Sequence, residues 1–381
     1  MLRFLLVVGL VCSFSQAQDS YFNLVKLTDQ PAAVCNDGTP AAVYFSPSQS
    51  CGGRQWIVHL QGGYWCWDDE SCTEREKSQP YYVGSSTYAS TMTRSEGIFS
   101  RNSTKNPDFY GYNYVYVMYC SSDQFAGDGT ATINGETWQF RGKNIITGVL
   151  DHFITAYGMN KAEEILWSGC SAGGQGVLNT IDQAAEILAQ NGFSGKFKGI
   201  ADAGWMSQFV PITSNIPMGS QLAEGYNLWN GSLTQCVASN PGFEYLCYLS
   251  QFGSSHLKTP TLFQCEQYDV FQTGYNCCNP PFTTDNFDYL DMMRSAYQQA
   301  FQVLGEENGV FSAACYWHCS TEDDTFTTIQ INHGGENLSL QQVLGNFYHK
   351  EENRGPTHVV DYCEGYQCSG GCPPSPTAIK N

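Results

Sequence analysis

The sequence predicts an α/β fold: a mostly parallel sheet with helices on both faces, held by disulfides. Three observations predict it. Short apolar runs rich in β-branched and aromatic residues alternate with stretches of helical periodicity, the order that builds a parallel sheet covered by helices. The apolar runs are nearly continuous rather than alternating, as strands buried on both faces require. The chain also carries 17 cysteines, a density that belongs to an oxidising compartment. With 381 residues and 42% hydrophobic content it can bury a large core.

Met1-Leu2-Arg3, the apolar run Phe4 to Cys12 and the small-residue exit Ser13 to Ala17 read as a secretory leader, residues 1–17. The run is too short to span a bilayer, and no later stretch is long and apolar enough to be a membrane helix. Cys12 falls in the leader, so 16 of the 17 cysteines remain and could form eight disulfides. Cys66 with Cys72 and Cys236 with Cys247 are geometrically easy local pairs. Cys315, Cys319, Cys363, Cys368 and Cys372 lack a regular four-ligand zinc frame, so no metal and no organic cofactor is expected. Sequons at Asn102, Asn230 and Asn337 fit surface glycosylation.

Tyr21 to Leu27 and Ala41 to Phe45, separated by a turn at Asp29-Gln30-Pro31, read as an opening hairpin. Gln55 to Leu60 is a buried strand stopped by Gly62-Gly63, and Tyr114 to Tyr119 is another. Residues 142–157 form an amphipathic helix, with Ile145, Ile146, Val149, Leu150 and Phe153 on one face. Phe197 to Gly204 and Thr261 to Cys265 are later strand segments, and Tyr289 to Leu304 a later helix. The main domain is expected over 18–362, with 363–381 a Cys- and Pro-rich tail.

Gly169-Cys170-Ser171-Ala172-Gly173 fits the pattern G-x-S-x-G. Ala162 to Trp167 runs into it as an apolar strand end, and Thr180 to Leu188 leaves it with helical spacing. Strand, sharp turn and helix are the setting in which small flanking residues lift a serine hydroxyl clear of a sheet as a nucleophile. Such a serine needs a base, an acid to orient the base, and donors for an oxyanion. Of the seven histidines, His256, His318, His333, His349 and His358 follow it. His318 stands in a loop flanked by Cys315 and Cys319, a rigid placement that suits a base. Asp269, just after the strand ending at Cys265, stands where the acid belongs. Gly63 and Tyr64, after the first core strand, and Ala172, after the serine, can offer backbone N–H groups to the oxyanion.

On these blocks the chain resembles the pectin acetylesterase/Notum family of secreted serine carboxylesterases, with an α/β-hydrolase-like fold. The resemblance runs from about residue 25 to about residue 350. It is carried by Leu60 to Cys66, Asn106 to Phe109, Tyr119 to Asp123 with Phe125 to Asp128, Phe140 to Gly142, Gly169 to Gly174, Ala201 to Trp205, Leu228 to Gly231, Tyr268-Asp269, and Cys315 with His318-Cys319. It implies Ser171, Asp269 and His318 as the triad and Gly63, Tyr64 and Ala172 as the oxyanion hole.

The family has two branches, one removing acetyl groups from pectin, the other removing an unsaturated fatty acyl group from Wnt proteins. Cys170 and His318-Cys319 look more like the polysaccharide branch, and Leu60 to Cys66 more like the Notum-like one. Gln61 replaces an acidic residue common to both. The expected activity is O-acetyl-ester hydrolysis on a polysaccharide such as pectin. The alternative is removal of a fatty acyl group from a secreted protein, and a third reading is a non-catalytic binding protein on a hydrolase scaffold. Thirty-six acids against 18 bases give a net charge of −18, which argues against nucleic acid or anionic membranes as partners. The expected partner is an acylated carbohydrate or protein. Tyr64, Trp65, Trp67, Trp205, Tyr268, Phe271 and Trp317 are candidates to meet the sugar or acyl group, with Trp65, Trp205, Tyr268 and Trp317 chosen as substrate-binding.

Overall fold

The computed structural model describes residues 21–49, 53–231, 234–349 and 355–374; the expected leader and the last residues of the tail lie outside them. The strands in chain order are β1 (Tyr21–Lys26), β2 (Ala42–Ser46), β3 (Gln55–Leu60), β4 (Thr91–Thr93), β5 (Asn113–Val117), β6 (Gly129–Ile133), β7 (Glu136–Phe140), β8 (Glu164–Cys170), β9 (Lys196–Asp202), β10 (Thr261–Gln264), β11 (Gly309–Ser312), β12 (Gln330–His333), β13 (Glu336–Ser339) and β14 (His358–Val360). Ten of them make one sheet in the order β14-β11-β10-β9-β8-β3-β5-β2-β1-β4. The pairs from β14 to β5 are parallel, and β2, β1 and β4 add on antiparallel. The expected α/β class and mostly parallel sheet are what the chain forms.

Consecutive residues of one strand enter different cores. In β3, Val58 and Leu60 pack with Ile145, Val149 and Val177 from two helices on one face. Ile57 points the other way, among Leu166, Ile200, Leu262, Val343 and Leu344. With both faces buried, selection for apolar residues acts at every position, and the strand reads as a continuous run. The helix Gly142–Tyr157 has the expected bounds and stops at Gly158, whose φ of 68° lets its N–H cap Phe153 and Ile154. The strand placed at Tyr114 to Tyr119 ends earlier, at Val117, although Met118 N still donates to Ala42 O. The helix placed at Tyr289 to Leu304 starts earlier, at Thr284, under a capping box of Thr283 and Asn286.

The loop after β5 is organised around Asp123, which is fully buried. Its carboxylate accepts from Ser121 Oγ at 2.6 Å and from the N–H groups of Phe125, Gly127 and Gly142 at 3.0, 3.1 and 2.8 Å. One side chain thus joins the 120–128 loop to the start of the helix Gly142–Tyr157. Burial pushes its carboxyl up to about 6, against the four hydrogen bonds that favour the anion.

Both local disulfides expected from spacing are present, Cys66–Cys72 and Cys236–Cys247. Full pairing of the cysteines does not occur, since Cys265 is a buried free thiol. The tail segment 363–374 is fastened beneath the His318 loop. Cys315 is bonded to Cys372 and Cys363 to Cys368, while Ser369 Oγ and Gln367 Oε1 accept from the N–H groups of Ala314 and Tyr316.

Candidate active site

Ser171 stands between β8 and the helix Ala172–Gln190 with φ 58° and ψ −124°, a conformation that non-glycine residues avoid. The surroundings enforce it. Its N–H donates to Asp202 O at 2.9 Å, and the helix leaves at once on the far side. A Cβ on Gly173 would lie 1.9 Å from Leu60 O, so the final glycine of the motif is needed for close approach of the helix to β3. The hydroxyl is thereby set at the C-terminal edge of the central strands.

Asp269 follows β10 and caps the helix Val270–Asn276, Oδ1 accepting from Gln272 N at 2.9 Å. Its other oxygen, Oδ2, meets His318 Nδ1 at 2.6 Å. Asp269 is fully buried, and the His318 side chain keeps 21% exposure, enough for its edge to face the surface. With Nδ1 donating to Asp269, Nε2 carries the free lone pair. Burial alone would lower the imidazole, but the charge and hydrogen bond of Asp269, with Asp202 and Glu266 behind it, lift it to about 9. Cys170 and Cys319, next to Ser171 and His318, are joined by a disulfide. Among the described residues Ser171 Oγ makes no hydrogen bond to His318. Such contacts are commonly loose in a free enzyme and tighten with substrate.

The loop after β3 closes on the serine. A Cβ on Gly62 would lie 2.7 Å from Cys170 O and 2.8 Å from Ser171 Cβ, so this backbone touches the elbow. Gly63 and Tyr64 both have positive φ, 139° and 60°, which turns consecutive peptides in the manner of an anion-binding nest. Among the described residues no backbone acceptor takes the N–H of Gly63 or Tyr64, and Ala172 opens its helix, where the N–H has no intrahelical partner. The sulfur and nitrogen atoms of Cys170, His318 and Cys319 lie within 4.8 Å of one another, but the disulfide removes both thiolates as ligands.

The aromatic expectations divide. Trp205 is 2% exposed and packs edge-on against Phe263 and Phe301. Tyr268 is 1% exposed and packs on Tyr366, and Trp65, 2% exposed, backs the ring of Tyr64 at 4.3 Å. All three lie buried against neighbouring rings in the free protein. Trp317 is half-buried, with Nε1 on Asp323 Oδ2 at 3.2 Å. The rings close to the imidazole are Phe271, 6.1 Å from His318, and Tyr64, 5.3 Å from Phe271. Tyr64 is pinned by its hydroxyl, which donates to Gln221 Oε1 at 2.8 Å, while Gln221 Nε2 donates to Tyr275 Oη. Gln221 and Tyr275 carried no signal in the sequence.

The family profile described as Pectinacetylesterase matches residues 13–373. The chain is 28% identical over 359 residues to palmitoleoyl-protein carboxylesterase notum2 of Xenopus laevis, covering 89% of this chain and 72% of that protein. It is 26% identical over 371 residues to pectin acetylesterase 5 of Arabidopsis thaliana, covering 92% and 84%. It superposes on the structure of the Wnt deacylase Notum from Drosophila with a TM-score of 0.83 at 26% identity, covering 92% of this chain and 99% of that one.

Proposed function

Because the chain belongs to the pectinacetylesterase family of carboxylic ester hydrolases, we propose that Ser171, His318 and Asp269 are its catalytic triad and that it removes O-acetyl groups from a polysaccharide such as pectin. The observation that carries the triad is the 2.6 Å contact of Asp269 with His318 on a loop bonded covalently to the serine elbow. Ser171 Oγ attacks the ester carbonyl as His318 Nε2 takes its proton. Asp269 holds the tautomer and steadies the imidazolium. The N–H groups of Gly63, Tyr64 and Ala172 receive the oxyanion. Collapse of the tetrahedral adduct expels the alcohol, which takes the proton from His318. Water then attacks the acyl-enzyme by the same route and releases the carboxylic acid and free Ser171.

The acetyl assignment rests on Tyr64. Its ring is held by Gln221 and packed on Trp65 and Phe271, which in this reading makes it a fixed wall beside the oxyanion donors that favours a short acyl group. A second reading, a fatty acyl group on a secreted protein, is favoured by the segment after β9. There Val210, Ile212 and Ile216 are 78%, 60% and 47% exposed, on a stretch hydrogen-bonded to the Tyr275 region. Turnover of p-nitrophenyl esters of rising chain length, with acetylated pectin and xylan in parallel, separates the two. The acetyl reading predicts the highest kcat/KM for the two-carbon ester and release of acetate from polysaccharide. A maximum at eight carbons or more, with no acetate released, supports the fatty acyl reading.

The chain acts outside the cell in this proposal, exported by the leader at residues 1–17. Asn102, Asn230 and Asn337 are all exposed and can accept glycans. Among the described residues no helix is long and apolar enough to cross a membrane.

A further inference from the structure

Four consecutive residues after His318 are each tied to a different strand of the central sheet. Cys319 is bonded to Cys170 at the end of β8. Ser320 Oγ donates to Glu266 Oε1, just past β10, at 2.5 Å. Thr321 donates through N at 2.7 Å and through Oγ1 at 2.5 Å to Asp202 Oδ2, the last residue of β9. Glu322 meets His59 Nε2 in β3 at 2.9 Å. Two of these anchors are unusual. Asp202 and Glu266 are both fully buried, and among the described residues each keeps one oxygen, Asp202 Oδ1 and Glu266 Oε2, with no hydrogen-bond partner. Both carboxyls act electrostatically on the His318 imidazole, and Glu266 acts on Asp202.

Two buried carboxylates with unpartnered oxygens, beside a third in Asp269, carry a heavy desolvation cost if all ionise. We propose that Asp202 and Glu266 are a pair of positioning residues, which hold Ser320 and Thr321 and thereby fix the His318 imidazole toward Ser171. Burial, then the charge of Glu266, raises Asp202 well above the usual carboxylate range. Burial, followed by the charge of Asp269, pushes Glu266 up to about 7 despite its bond from Ser320. The titratable groups facing the pair are His318 from the loop after β11, Asp269 from the loop after β10, and the buried Cys265 thiol. A charge on Glu266 favours the imidazolium that forms when His318 takes the serine proton.

This inference rests on the triad reading, and the test keeps the two apart. The pH dependence of kcat/KM for p-nitrophenyl acetate is measured on the full chain and on two isosteric variants, with fluorophosphonate labelling of Ser171 as the separate readout of the triad. Asp202→Asn keeps an oxygen that can accept from Thr321 but removes the carboxyl, and is expected to lower kcat several-fold at constant KM and to move the acidic limb down. Glu266→Gln removes the second carboxyl. It is expected to move the acidic limb down by about half a pH unit or more, about threefold in relative rate on that limb, with KM unchanged. Ser320→Ala serves if an amide variant fails to fold: it is expected to lower kcat several-fold at constant KM and to move the limb the same way. Limbs that superimpose on wild type in both amide variants of a normally labelled enzyme overturn the pair, as does an unmoved Ser320→Ala. Loss of labelling in the wild type overturns the triad instead.

Discussion

Cys170 and Cys319 are 149 residues apart and joined by a disulfide, so the residue before Ser171 and the residue after His318 are covalently linked. The two side chains that exchange a proton in the proposed triad are each one residue from the same bond. The link limits how far the His318 loop can drift from the elbow, and it leaves the thiol of neither cysteine reactive. Replacing both cysteines with alanine is expected to preserve the fold, because Ser320, Thr321 and Glu322 still anchor the loop. It should lower kcat by about 10–100-fold through misplacement of the imidazole, with little change in KM. Steady-state kinetics of the double variant check this.

The ionisation of His318 sets the expected pH profile. Only neutral imidazole can take the proton of Ser171, and Asp269 raises the group to about 9. Activity therefore rises with pH and levels off above that ionisation. Asp269→Asn is expected to lower kcat by about 10⁴-fold by favouring the wrong tautomer, and to move the limb to lower pH because the stabilising charge is gone. Rate–pH profiles of the two proteins test both parts.

Gly62 tests the oxyanion loop. Its substitution by alanine puts a methyl group 2.7 Å from Cys170 O, so the 62–64 backbone must withdraw from Ser171. The expected loss is about 100–1000-fold in kcat, the scale of an oxyanion donor, with the melting temperature nearly unchanged.

Glu322 links the same loop to stability. Burial would raise its carboxyl, but His59 and Arg94, both in contact at 2.9 Å, hold it at about 2, against an ordinary value of 4.5. A depressed carboxylate stabilises the fold above its unfolded value, and that stability is lost as pH falls from about 4.5 toward 2. Glu322→Gln is expected to cost about 3 kcal/mol at neutral pH, since it leaves Arg94 and His59 without their anion. Its stability should then fall less steeply than wild type below pH 4.5. Thermal unfolding across that range gives the comparison.

The parts legible in the sequence were those with local signatures. The elbow is written in five adjacent residues, because a sharp turn between a strand and a helix demands small neighbours at fixed offsets. The central strands are legible because burial on both faces leaves an unbroken apolar run. Asp269 and His318 could be placed by chain order and by the flanking cysteines. The partnership of Cys170 with Cys319 was not legible, since spacing says nothing about cysteines brought together by the sheet. Nor were Asp202, Glu266 and Glu322, whose roles arise from strand ends meeting one loop; the one sequence signal was Asp202 within Ala201 to Trp205. An aromatic beside a motif, such as Trp205 or Tyr268, reads alike whether it faces ligand or core.

The most direct measurement is reaction of the purified protein with a fluorophosphonate, followed by mass analysis of the peptide that contains Ser171. The account predicts one adduct per chain on Ser171, complete loss of p-nitrophenyl acetate hydrolysis in step with labelling, and no label or turnover in Ser171→Ala. Undiminished hydrolysis by Ser171→Ala, or a label that settles on another residue, would contradict it.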